Sequence, residues 1–133
     1  MAIRMLNAND FTCIRMLSIH YDGRFTFNWA AIEALSLNRN PYNRWVGLAE
    51  GEDFAKDLTF NMYVYSGYND NAFKINWSGT YCYLSTRRLF KRLGIHYKDR
   101  HVYYSITILE RTEDLIKCKL TYHFKDRKRY GKD

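Results

Sequence analysis

The chain is poor in the residues that punctuate, staple or catalyse. A single proline in 133 residues excludes a proline-rich linker or ligand. The three cysteines, Cys13, Cys82 and Cys118, are odd in number, widely spaced and without a C-x-x-C pair. That excludes a disulfide framework and fits reduced, mostly buried thiols in a cytoplasmic protein. No run approaches the roughly eighteen apolar residues of a membrane span. The opening Met1-Ala2-Ile3-Arg4-Met5-Leu6-Asn7 lacks the long apolar core of a signal peptide. There is no H-E-x-x-H, Walker loop, G-x-S-x-G or dinucleotide fingerprint, and His20, His96, His101 and His123 do not cluster at metal-ligand spacing. His96 and His101 beside Asp99 read as a solvated loop. Glu110, Glu113 and Asp114 near Lys117 read as a polar hairpin turn rather than nuclease carboxylates. The expectation is a soluble, cytoplasmic, non-enzymatic protein with no cofactor, no metal and no membrane contact.

Apolar content is high at 47%, and aromatics make up 17%, with twelve tyrosines. This is a folded domain rather than a disordered chain. The net charge of +7 is unevenly spread. Residues 1–66 hold 6 Lys/Arg against 7 Asp/Glu, net −1, whereas residues 67–133 hold 15 against 7, net +8. A basic half beside a neutral half suits one face meeting a polyanion.

Period-2 patterning predicts strands at 12–21 and at Phe25 and Phe27, with Asp22-Gly23 turning between them. Asn28 sits where a helix cap belongs, and Trp29, Ile32 and Leu35 follow at helical spacing, ending near Ser36. Residues 38–43 are loop-like, 45–49 a strand and 50–53 a polar turn. Leu58, Phe60, Met62 and Val64 alternate with outward-facing Tyr63 and Tyr65. After a junction at 66–71, Phe73, Ile75 and Trp77 share one strand face. Tyr81 and Tyr83 lead to a helix capped by Ser85 or Thr86, with Leu89, Phe90 and Leu93 inward and Gly94 at its C-terminal end. Val102, Tyr104, Ile106 and Ile108 mark the next strand. In the last one, Ile116, Cys118, Leu120, Tyr122 and Phe124 oppose Lys117, Lys119, Thr121 and His123.

One pattern therefore recurs. Gly23 to Leu37 is a strand running into a short amphipathic helix, and Tyr83 to Ile95 does much the same, with Leu35-Ser36-Leu37 matching Leu93-Gly94-Ile95. The fold class expected is α+β: two similar ββαββ repeats, 1–66 and 67–124, forming one pseudo-twofold β-rich domain, followed by a basic tail at 125–133.

The stretch Gly23-Arg24-Phe25-Thr26-Phe27-Asn28-Trp29-Ala30-Ala31-Ile32-Glu33-Ala34-Leu35-Ser36-Leu37 resembles the Gly-Arg-Ile-Thr-Ile-Pro…Ala-Leu-Gly-Ile core of the AbrB-like, swapped-hairpin family. Leu89, Leu93, Gly94 and Ile95 fit the helical half of that pattern a second time. Lys98-Asp99-Arg100 before Val102 looks like the family's basic turn. The likeness covers about fifteen residues in each half. Asn28 departs from the usual Pro, and residues 38–44 replace a tighter turn. The resemblance implies interleaved hairpins in a small barrel, with DNA binding or antitoxin-type partner binding, and it carries Arg24 over as a basic contact.

From the residues themselves, Arg87, Arg88, Lys91 and Arg92 fall at i, i+1, i+4 and i+5 of the second helix, on one face opposite Leu89 and Leu93. Four like charges on so short a helix repel one another, which an anionic partner would relieve. Lys117 and Lys119 share a strand face with His123. Lys125, Arg127, Lys128, Arg129 and Lys132 form the tail around Tyr130, either holding phosphates or acting as a solvated end. Tyr63, Tyr65, Tyr68, Tyr81, Tyr97 and Tyr103 are platforms for unpaired bases or ordinary cross-strand pairs. The expected function is nucleic-acid binding, DNA before RNA, as a regulator or accessory protein. Its alternative is an interaction module for an acidic protein partner, and either admits a homodimer.

Overall fold

Alternation of buried and half-exposed side chains sets the strands, since successive residues of a pleated strand face opposite sides. In a computed structural model, which describes residues 14–39 and 44–126, β1 (Met16–Ile19) buries Leu17 and Ile19, and β2 (Arg24–Phe27) buries Phe25 and Phe27. Asn28 then starts α1 (Trp29–Ala34). Its side-chain oxygen accepts from the Ala31 N–H at 2.9 Å and the Met16 N–H at 3.2 Å, and its amide donates to the Ile14 carbonyl at 2.7 Å. One residue thus caps a helix and ties it to the entry of β1.

β3 (Trp45–Glu50) is followed by a single helical turn, α2 (Phe54–Asp57), and by β4 (Phe60–Tyr65), which buries Phe60, Met62 and Val64. β5 (Phe73–Lys74) and β6 (Asn76–Ser78) flank Ile75; β7 (Tyr81–Ser85) then leads into α3 (Arg87–Arg92). The long strands β8 (Arg100–Arg111) and β9 (Leu115–Asp126) form a hairpin whose register shifts between Ile108 and Glu110.

All pairings are antiparallel, in the order β5-β3-β4-β9-β8-β1-β2-β7-β6. Only Ile75 separates the strands at the two ends of that order, and its N–H donates to the Arg44 carbonyl at 3.1 Å. The protein is therefore mostly β, a nearly closed antiparallel sheet with few helices. Its interior holds Phe25, Phe60, Phe90 and Tyr104, with Phe25 edge-on to both Phe90 (5.1 Å) and Tyr104 (5.6 Å). Hairpins β1–β2 and β3–β4 come from the first half of the chain and alternate around the sheet with β8–β9 and β6–β7 from the second.

The two longer helices end alike. Leu35, Ser36 and Leu37 donate backbone bonds to Ala31, Glu33 and Ile32, and Leu93, Gly94 and Ile95 donate to Leu89, Lys91 and Phe90 at the same spacings. Ser36 (φ 52°) and Gly94 (φ 71°) both take the left-handed conformation that closes such ends.

Several expectations are corrected. The element order is not a plain double ββαββ, because α2 interrupts the first half and Ile75 splits the first strand of the second. The first strand stops at Ile19, where the His20 carbonyl accepts from Gly23 N–H to form the turn; Thr12 and Cys13 lie outside the described residues. Trp29 is 65% exposed rather than inward, because the six-residue helix buries only Ala30, Ala31 and Ile32. Thr86, not Ser85, holds the N-cap position of α3, yet no side-chain bond caps the helix there. Lys125 and Asp126 belong to β9 rather than to a tail, and residues 127–133 lie outside the described residues. Among the described residues no helix is long and apolar enough to cross a membrane.

Candidate functional site

α3 is fixed by packing rather than by its own charges. Two cations, Arg87 and Arg88, occupy its first turn and no acid does, the reverse of what the helix dipole favours, while Lys91 and Arg92 in its last turn suit that dipole. What holds it is Phe90, fully buried and in ring contact with Phe25, Phe60 and Tyr97. A second clamp lies at its start. The buried Thr86 hydroxyl donates to the Gly23 carbonyl at 3.0 Å, and Gly23 (φ 91°) fits so closely that an added Cβ would stand 2.7 Å from Arg87 Cβ. The β1–β2 turn thereby sets where the cations of α3 point.

Arg87, Arg88, Lys91 and Arg92 are all exposed, and none pairs with a carboxylate among the described residues. Register brings further cations to the same end of the sheet. Arg24 pairs with Ser85, the last residue before Thr86; on the neighbouring strands the same end carries His101 opposite Lys125 and Arg100 opposite Asp126. The Gly94–Asp99 turn adds exposed Lys98. Arg100 lies over the Phe124 ring at 4.5 Å and 3.9 Å from the well-exposed Asp126 carboxylate. Arg100 and Lys98 had stood only in a turn motif; their place at this end depends on β8 pairing.

Other candidate cations fall elsewhere or are neutralised. Arg24 bonds Asp22 through Nε at 2.7 Å, and its guanidinium lies 4.9 Å from the Tyr83 ring centre. Burial alone would raise the Asp22 carboxyl, but the Arg24 N–H bond and the charges of Arg24 and His20 outweigh it and hold the group below its usual value. Lys117 pairs with Glu110 at 3.2 Å. At about 3.3 Å per residue, the strand from Lys117 to Lys125 runs about 26 Å, so Lys117 sits far from the α3 end, with Lys119 between. This is a correction to a surface that joined them to α3. Arg127, Lys128, Arg129, Tyr130 and Lys132 lie outside the described residues.

The outer face of the sheet beside this end is lined by rings. Tyr103 stacks on His123 (5.1 Å, 17° between planes), and the His123 Nε2 is 3.0 Å from the Ser105 hydroxyl. Tyr81 and Tyr83 lie 6.4 Å apart, and His20 meets Tyr21 at 4.6 Å. A groove of about 380 Å³ runs between them, lined by Ser18, His20, Tyr21, Arg24, Tyr81 and His101 among others. A second hollow, bounded by Asp22, Arg24, Ser85, Arg87, Arg88 and Leu89 among others, shares Arg24 with the first. Of the tyrosines expected as platforms, Tyr97 is buried (3% exposed) and cannot serve; Tyr68 and Tyr81 are exposed, and Tyr63, Tyr65 and Tyr103 half-buried. Tyr21, 64% exposed, was missed because its strand was expected to continue through it.

Among the described residues no group of three or more His, Cys, Asp and Glu gathers as for a metal ion. Set against family models, curated proteins and solved structures, the chain finds no match in any of them.

Proposed function

We propose that this is a small nucleic-acid-binding protein, DNA before RNA, that holds the sugar–phosphate backbone on the α3 end of its sheet and performs no chemistry of its own. The observation that carries this reading is the exposed Arg87, Arg88, Lys91 and Arg92 set, without carboxylate partners among the described residues and joined at one end by Lys98, Arg100 and Lys125. Phosphates relieve the mutual repulsion of such a face and release counterions on binding. Lys117, Lys119 and Arg24 take no main part in it.

The architecture belongs to the same proposal. We read the chain as two interleaved ββαββ units in the manner of the swapped-hairpin, AbrB-like family. The alternation of hairpins from the two halves supports this, as do the matching bonds at the ends of α1 and α3. Exchanging the two halves leaves the strand order around the nearly closed sheet unchanged, with β5 and β6 taken as one strand.

The test is a mobility shift over a salt series. Four phosphate contacts on duplex DNA give a log–log slope of about −3.6, at about −0.9 per contact. Reversing Arg88→Glu and Arg92→Glu abolishes the shift; unchanged binding overturns the proposal. Clean protein that captures an acidic protein and ignores nucleic acid at physiological salt assigns the same face to an acidic protein partner.

A further inference from the structure

We infer that the ligand is single-stranded, and that unpaired bases stack in the groove beside Tyr21 and Tyr81 while the backbone lies on the cations of α3. This inference rests on the nucleic-acid reading above and names the form of polymer that the site takes.

Continuity comes first. Arg24 lines both the groove on the outer sheet face and the hollow bounded by Arg87 and Arg88, so the two concavities adjoin at that residue. The α3 hollow carries Arg87 and Arg88, and the sheet groove carries the rings. Such a division suits a polymer with an anionic backbone on one side and flat bases on the other.

Exposure comes next. Tyr21 is 64% and Tyr81 40% exposed, two large rings left open to solvent. Both line a groove of about 380 Å³, within the roughly 300–1,000 Å³ that seats small organic groups. Each is braced by a neighbouring ring, Tyr21 by His20 at 4.6 Å and Tyr81 by Tyr83 at 6.4 Å; Tyr83 in turn lies under the Arg24 guanidinium. Rings already held in place lose little freedom when a base stacks on them.

Duplex fits this pair of concavities poorly. In a duplex the base faces are already stacked on one another, so exposed tyrosines gain nothing from it. A duplex also presents phosphates on a convex surface, which meets the α3 cations but does not enter a groove on the sheet. Asp22, bonded to Arg24 at 2.7 Å, places an anion where the two concavities adjoin. It makes this stretch a poor seat for dense phosphate and favours base contacts there.

The experiment measures anisotropy of the full chain with a fluorescein-labelled oligothymidine and with a duplex of equal length, at matched low salt. Wild type is expected to bind the single strand more tightly. Tyr21→Ala with Tyr81→Ala is expected to weaken single-strand binding by on the order of tenfold or more, leave the duplex within about twofold, and leave thermal unfolding near wild type. Tyr81→Phe with Tyr21→Phe restores single-strand binding, since stacking needs the ring and not the hydroxyl. If the double alanine variant binds single strand as wild type does, or if wild type prefers duplex, the inference fails while the phosphate reading stands, provided Arg88→Glu with Arg92→Glu still abolishes binding. If neither polymer binds wild type at low salt, both readings fall.

Discussion

Replacing Gly23 with alanine probes the joint that aims α3. A methyl group there meets two separate penalties. At φ 91° an L side chain is out of its preferred region, which costs about 1–2 kcal/mol. The new Cβ would also lie 2.7 Å from Arg87 Cβ and 2.8 Å from Arg87 Cα, too close for either side to stay put. Because one of those atoms is backbone, relief requires moving the start of α3 or the turn, and such overpacking costs about 1–3 kcal/mol. The total is about 2–5 kcal/mol. For a domain of this size each kcal/mol lowers Tm by roughly 4 °C, so Gly23→Ala should melt about 8–20 °C early. Gly79→Ala is the matched control, with positive φ (64°) but nothing within 4 Å of the added methyl; it should lose only about 4–8 °C. Thermal unfolding followed by circular dichroism and calorimetry measures both. Equal losses in the two variants would show that the turn does not press on α3, and the argument that Gly23 sets the direction of the cations would be wrong.

Three further outcomes follow from single contacts. Asn28→Ala removes a helix cap and two bonds to the β1 entry, and should cost about 2–3 kcal/mol in urea unfolding; a loss under about 0.5 kcal/mol would mean that the backbone finds other partners. Asp22, held below its usual value, favours the folded state when ionised, a contribution present above the unfolded carboxyl value of about 3.9 and lost as pH falls through the lower folded value. Urea midpoints of wild type should therefore fall more steeply than those of Asp22→Asn in that acidic window, and parallel curves would contradict the pairing. Burial pushes the Cys82 thiol up to about 12 and the Cys118 thiol up to about 11. Both should resist a chromogenic disulfide reagent in the native protein and react on unfolding; prompt native reaction of either would place it outside the core.

Much of the local structure was readable because it follows from neighbouring residues. Phe25 and Phe27, Phe60 to Val64, and Val102 to Ile108 alternate as half-buried strands must, and their burial follows suit. Asn28 and Gly94 mark helix ends by local bonding alone. Pairing across the halves was not readable, since nothing near Met16 points to Ser105, or near Tyr65 to Leu115. The same limit applied to the site. The spacing of Arg87, Arg88, Lys91 and Arg92 put them on one face, but the pairing of Lys117 with Glu110 and the place of Lys125 at the α3 end of the sheet follow from strand register. Tyr97 and Trp29 exchanged their expected places because a ring's exposure depends on what packs around it, and Tyr97 packs edge-on to the buried Phe90.

The alternation of hairpins bears on how the chain comes into being. As it leaves the ribosome, the N-terminal portion can make β1–β2 and β3–β4, but lone hairpins are barely stable in water. Every lateral neighbour they need, β7, β8, β9 and the residues around Ile75, is still to be synthesised. Folding must therefore wait until β9 has emerged, and it should be slow for its length, with sticky apolar faces open in the interval. By the same logic, two fragments cut between β4 and β5 are complementary pieces: each is unfinished alone, and together they can rebuild the nearly closed sheet.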